Sequence, residues 1–134
     1  ITKAMIFNMK KEWSKADQCF KNAEKIELRI GDRKGLVVMK INQAAGYFKR
    51  EEYTRAIEGF EVAAKHAAIM GMKYMEALSI LNIASCYDEL KEDENALKYY
   101  NIAEEKGKNY KSIMDQIKEE RIIIRDRIKG GKDG

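Results

Sequence analysis

Residues 77–103 read ALSILNIASCYDELKEDENALKYYNIA, and the fold is decided in this stretch. Ile80, Ile83, Ala84 and Tyr87 recur at the three- and four-residue spacing of one buried helix face. After a short polar break, Ala96, Tyr100 and Ala103 do the same. The spacing predicts two antiparallel helices, with Ala84 and Ala96 at their closest approach and Tyr87 and Tyr100 filling the space beside them. The same signals stand 40 residues earlier at Ala44, Tyr47, Ala56, Phe60 and Ala63. They stand again 40 residues before that, at Ala4, Phe7, Ala16, Phe20 and Ala23. Three copies without a slip in register make an internal repeat.

Outward from this stretch, the chain divides into repeats at about 1–30, 31–70 and 71–110. In the first, residues 1–9 read as one helix and Met9 to Glu12 as a turn. Residues 13–30 then form a second helix that buries Trp13, Ala16, Phe20, Ala23, Ile26 and Ile30. Gly31 supplies a left-handed stop and Asp32 a cap for the next helix. The second repeat has helices at about 34–49 and 53–70, closed by Gly71, and the third at about 73–90 and 93–109. A seventh helix is expected at 112–129. Ile113, Ile117, Ile124 and Ile128 mark its apolar stripe, with Lys118, Glu119, Glu120, Arg125 and Asp126 on the opposite side. A solenoid needs such a two-faced element at its end. Gly130 and Gly131 are expected to end it and leave 130–134 as a flexible tail, so that 1–129 is one domain.

The pattern resembles the tetratricopeptide repeat, whose signature pairs a small residue and an aromatic on one helix with Ala-x3-Phe on the next. Here Ala44 and Tyr47 go with Ala56 and Phe60, and Ala84 and Tyr87 with Ala96 and Tyr100. The resemblance covers roughly residues 1–110. It implies an all-α, right-handed α-solenoid of three antiparallel helix pairs plus a C-terminal capping helix. The period departs from the family's, being 40 residues rather than about 34. Lys40 and Ile80 replace the signature Trp, and the chain has no Pro to close a repeat. The long form is similar to repeats of bacterial peptide-pheromone receptors, maltose-activator-type regulators and Pins-type polarity scaffolds.

Composition narrows the function. The 26 Lys and Arg interleave with 22 Asp and Glu, which is a solvated surface rather than the basic stripe that nucleic-acid binding needs. No apolar run approaches the ~18 residues of a membrane span, and no signal peptide is visible. The first residue, Ile1, already falls inside a helix, so the sequence reads as part of a longer protein. His66 stands alone, and Cys19 and Cys86 are far apart, so neither a metal-ligand set nor a CxxC pair arises. Adjacent carboxylates such as Glu51 with Glu52 and Glu119 with Glu120 point apart and make no acid–base pair. No phosphate-cradling loop, nucleophile elbow or HExxH occurs. A non-enzymatic, cytoplasmic protein without metal or cofactor is expected.

Function in a repeat array resides on the concave face lined by the first helix of each pair. On the sequence this face holds Met5, then Ile41, Asn42, Ala45, Phe48 and Lys49, then Leu78, Leu81, Asn82 and Ser85, with Asp88 and Glu89 beyond. The last helix adds Lys118, Arg121 and Arg125. Asn42 and Asn82 are 40 residues apart. The resemblance implies that Asn here hydrogen-bonds the backbone of an extended peptide, and an amide both donates and accepts. The basic set of cochaperone-type repeats that clamps an acidic C-terminus is not matched, since Ile1, Met5 and Val38 take its places. The expected function is a protein- or peptide-binding scaffold, its partner acidic at the end nearest Arg121 and Arg125. Two alternatives are the sensor half of a larger bacterial regulator and a structural module that oligomerises through its N-terminal face.

Overall fold

The computed structural model describes residues 3–133, with side chains described for 9–131 except Lys11 and Ile30. Six helices follow one another: α1 (Lys3–Ile30), α2 (Arg33–Lys49), α3 (Tyr53–Ile69), α4 (Lys73–Glu89), α5 (Asp93–Gly107) and α6 (Lys111–Asp133). Among the described residues there is no strand. Helices α2 to α5 each pack on their neighbours in sequence, and α6 lies against both α5 and α4. This is an all-α solenoid.

Four of the five joints turn on a left-handed residue. Gly31 and Gly71 adopt φ of 71° and 70° between repeats. Glu51 and Lys91 adopt 63° and 62° within them. At each of these four the following N–H reaches back five residues to a helix carbonyl: Asp32 to Glu27, Glu52 to Tyr47 and Met72 to Ala67 at 2.9 Å, and Glu92 to Tyr87 at 3.0 Å. That bond satisfies a carbonyl that the helix end would otherwise leave open. Asp32 caps α2 as expected, its Oδ1 accepting from the Gly35 N–H at 2.9 Å.

Small residues let the helices close up. Ala44, Ala56, Ala63, Ala84, Ala96 and Ala103 have no exposed surface. A Cβ on Gly59 would meet the Ala44 Cβ at 2.9 Å, so α2 and α3 approach more closely there than an alanine allows. Phe60 and Tyr100 fill equivalent places in the two repeats, at 1% and 0% exposure. Helix α4 joins the two halves of the core. Ile83 and Cys86 pack with Ala56 and Phe60, while Ala77, Ile80, Leu81 and Ala84 pack with α5 and α6.

The first repeat is not a hairpin. Helix α1 runs unbroken through the expected turn at Met9 to Glu12. In register, Lys11 corresponds to Glu51 and Lys91, and a left-handed non-glycine residue costs about 1–2 kcal/mol. Helix pairing offsets that cost at Glu51 and Lys91; at Lys11 the chain stays helical and avoids it. Helix α1 is held to α2 instead by polar contacts. Arg50 grips Asp17 at 2.8 Å and 3.2 Å, with its guanidinium 5.2 Å from the Trp13 ring centre. Lys40 pairs with Glu24 at 3.2 Å. Among the described elements α1 packs only on α2, which leaves its other side uncovered: Ala16 and Ala23 are half-buried and Ile26, expected in the core, is 56% exposed.

At the other end, Ile113, Ile117 and Ile124 are buried against α4 and α5, with Ile128 packed beside them. The glycine stop is not observed: α6 continues through Gly130 and Gly131 to Asp133. Each interior glycine costs only about 1 kcal/mol against alanine, and neither a proline nor a left-handed residue diverts the chain here.

Candidate interaction groove

The antiparallel packing sets α2, α4 and α6 side by side, with α3 and α5 behind them. A cavity of about 260 Å³ opens on this face. Ala45, Phe48 and Lys49 line it from α2, Asn82 and Ser85 from α4, Gln116 from α6, and Phe60 from behind. The floor is apolar and two carboxamides stand at its edge. Among the described residues the Asn82 and Gln116 side chains have no hydrogen-bond partner, whereas Ser85 is committed. Its Oγ donates to the Leu81 carbonyl at 3.2 Å and lies 3.4 Å from the Tyr100 hydroxyl.

One end of the groove is strongly acidic. Arg127 of α6 binds Asp88 at 2.7 Å and also Asp93, and these two carboxylates hold its pKa up. Glu120 lies half-buried against Asp88. Burial first, then the Asp88 charge and hydrogen bond, raise its pKa above the ordinary carboxylate range. The Tyr100 phenol is pushed up to about 12 by burial, reinforced by Glu120, Asp88 and Glu89 and opposed by the Ser85 hydrogen bond. Burial and Glu89 push the Cys86 thiol up to about 12. Tyr53 is raised by burial, then by Glu89 and Glu51. Its ring meets Phe48 edge-on, with centres 5.2 Å apart and planes at 72°.

A model of the family described as "Soluble NSF attachment protein, SNAP" matches residues 1–120. The chain belongs to this family. No curated protein matches it significantly. The SNAP family is a helical repeat scaffold that mediates protein interactions, so the resemblance to tetratricopeptide repeats stands as a TPR-like solenoid.

In this SNAP-family chain the expected groove residues separate into three groups. Ala45, Phe48, Lys49, Asn82 and Ser85 come together around the cavity. Asn42 is exposed on α2 outside the cavity wall, and Leu78 and Ile41 are half-buried, Ile41 packing on the Phe60 cluster. Met5 lies outside the described side chains. Leu81 is corrected: at 1% exposure it belongs to the core, because α6 packs over the side of α4 that carries it.

The basic residues of α6 are corrected too. Lys118, Arg121 and Arg125 stand roughly 140–200° around the helix from Gln116 at ~3.6 residues per turn, so they face away from the cavity. Arg121 turns to α5, where it donates to Asn101 at 2.9 Å and to Glu104. Lys118 and Arg125 are exposed. Three residues were not among the expected groove residues: Phe60 and Gln116, which line the cavity, and Glu120, expected on the polar side of the last helix. Phe60 was already recognisable as a core aromatic. Gln116 and Glu120 are spaced one helical turn apart, a signal that places them on a shared face but leaves open which face meets α4.

Proposed function

We propose that this SNAP-family chain is a protein-binding scaffold that receives an extended segment of its partner in the groove between α2, α4 and α6. The observation that carries this is the cavity itself, an apolar floor of Ala45, Phe48 and Phe60 rimmed by Asn82 and Gln116. Two amides without internal partners suit the backbone of a bound strand, which offers alternating donors and acceptors. The apolar space between them suits one side chain of that strand. The family's name, attachment to NSF, supports a protein as the partner. Binding rather than catalysis is the reading, because the cavity is lined by apolar surface, two amides, a committed hydroxyl and one lysine. Two unpaired thiols suit a reducing, cytoplasmic setting. An acidic-ended partner is not part of the proposal, since Arg121 is turned to α5.

The test is selection of binders from a randomised octapeptide display library. Ala45→Phe closes the cavity, and Asn82→Leu with Gln116→Leu removes the two amides. Circular dichroism checks that each variant keeps its helices. Peptides enriched on the parent chain should be lost on both variants. Enrichment that is the same on all three chains would refute the groove as the binding surface.

A further inference from the structure

The charge around the groove says more about the occupant than the cavity does. At its acidic end four carboxylates converge from three helices: Asp88 and Glu89 from α4, Asp93 from α5 and Glu120 from α6. One guanidinium, Arg127, answers them, and it is taken up by Asp88 and Asp93. Glu120 is half-buried beside Asp88, whose charge adds to burial in raising its pKa. Glu89 is exposed and has no ion pair among the described residues. It stands in the last turn of α4, where the helix end adds its own negative partial charge. Lys49 holds the equivalent position on α2, exposed and outside ion-pair distance of any described carboxylate. With Lys49 counted, four carboxylates still face only two cations. The field of Glu89 is felt by Tyr53 on α3, Cys86 on its own helix, Tyr100 on α5 and Glu120 on α6. Beside it, the edge-to-face pair of Phe48 and Tyr53 presents aromatic surface.

Resting on the groove as the binding surface, we propose that its occupant is a peptide segment with an apolar side chain for the cavity and a neighbouring lysine or arginine for Glu89. The stem of that basic residue lies along Phe48, as long cationic side chains lie on apolar surface. Its charged head reaches Glu89, the exposed one of the two carboxylates at this end, Glu89 and Glu120, that have no ion pair among the described residues. An acidic residue in the same place meets Glu89, Asp88 and Glu120 together and is repelled. The groove therefore selects by charge as well as by shape.

The same octapeptide library tests this, displayed against the parent chain, the cavity-closing Ala45→Phe and the charge-reversed Glu89→Arg. Sequences that need the open cavity should carry Lys or Arg within two residues of an apolar one. A selected peptide, synthesised with a fluorophore, should bind Glu89→Arg roughly tenfold more weakly, as an ion pair becomes a repulsion. Its affinity for the parent should fall with added salt. Selection on Glu89→Arg should turn toward Asp and Glu. Cavity-dependent sequences rich in Asp or Glu, or indifferent to Glu89→Arg, would overturn the charge assignment and leave the groove standing. If no sequence depends on the open cavity, the groove fails and the charge assignment with it.

Discussion

Replacing Ile117 by alanine tests whether α6 is docked as described. The side chain is fully buried between α4 and α5. Truncation removes three carbons, worth about 0.8 kcal/mol each on burial, or roughly 2.4 kcal/mol. The cavity left behind brings the loss to about 3 kcal/mol, within the usual range for isoleucine to alanine. Repeat arrays open from their ends, because each unit touches only its neighbours. The loss should therefore appear first as undocking of α6. Amide hydrogen exchange of α6 should accelerate by about a hundredfold, the equivalent of ~3 kcal/mol. Helices α2 and α3 should exchange as before. Ile123→Ala on the same helix is the control: Ile123 is 53% exposed, and its loss should move exchange by less than about fivefold, or under ~1 kcal/mol. Equal acceleration by the two variants would mean that α6 is not seated through its Ile113–Ile117–Ile124 stripe.

Ala96→Leu should destabilise by about 1–3 kcal/mol in a urea melt through overpacking, because Ala96 has no exposed surface; a neutral result would place the α4–α5 contact elsewhere. Cys19 is exposed and Cys86 buried, so a thiol reagent at neutral pH should label one site per folded chain and two after denaturation; two rapid labels on the folded chain would contradict the burial of Cys86. Alkaline pH should also weaken the fold. The ordinary values are 9.0 for the Cys86 thiol and 10.0 for the Tyr100 phenol, and both are pushed up to about 12 in the folded chain. Above pH ~9 the unfolded chain loses protons that the folded chain keeps. Stability should thus be level below pH ~9 and decline steadily toward pH ~12, and a melting temperature constant across that window would refute it.

Repeats two and three were legible because their signals are local and doubled. Ala44 with Ala84, Ala56 with Ala96, Phe60 with Tyr100 and Gly31 with Gly71 each mark a place where only a small, a large or a left-handed residue fits. Five groove residues followed from that register. The first repeat was not legible in the same way. Lys11 carries the turn's position but not its outcome, because a left-handed lysine survives only where packing elsewhere offsets its strain. The α6 site residues failed for a geometric reason. Lys118, Arg121 and Arg125 share a helix face, as their spacing shows, but which face meets the groove depends on the isoleucine stripe docking on α4 and α5. Leu81 was misplaced by the same docking.

The joints at Gly31 and Gly71 have a consequence for how such a chain can grow. Each is the same left-handed turn closed by the same five-residue return bond, and they bracket one 40-residue block. A block copied from one glycine to the next begins and ends with identical backbone geometry. It can be spliced in tandem without bending the chain on either side, its first helix extending the wall formed by α2 and α4. Length, and with it the number of partner residues read, becomes a heritable quantity that changes by whole steps, while the chemistry of each step drifts one side chain at a time, as Phe48 and Lys49 differ from Asp88 and Glu89.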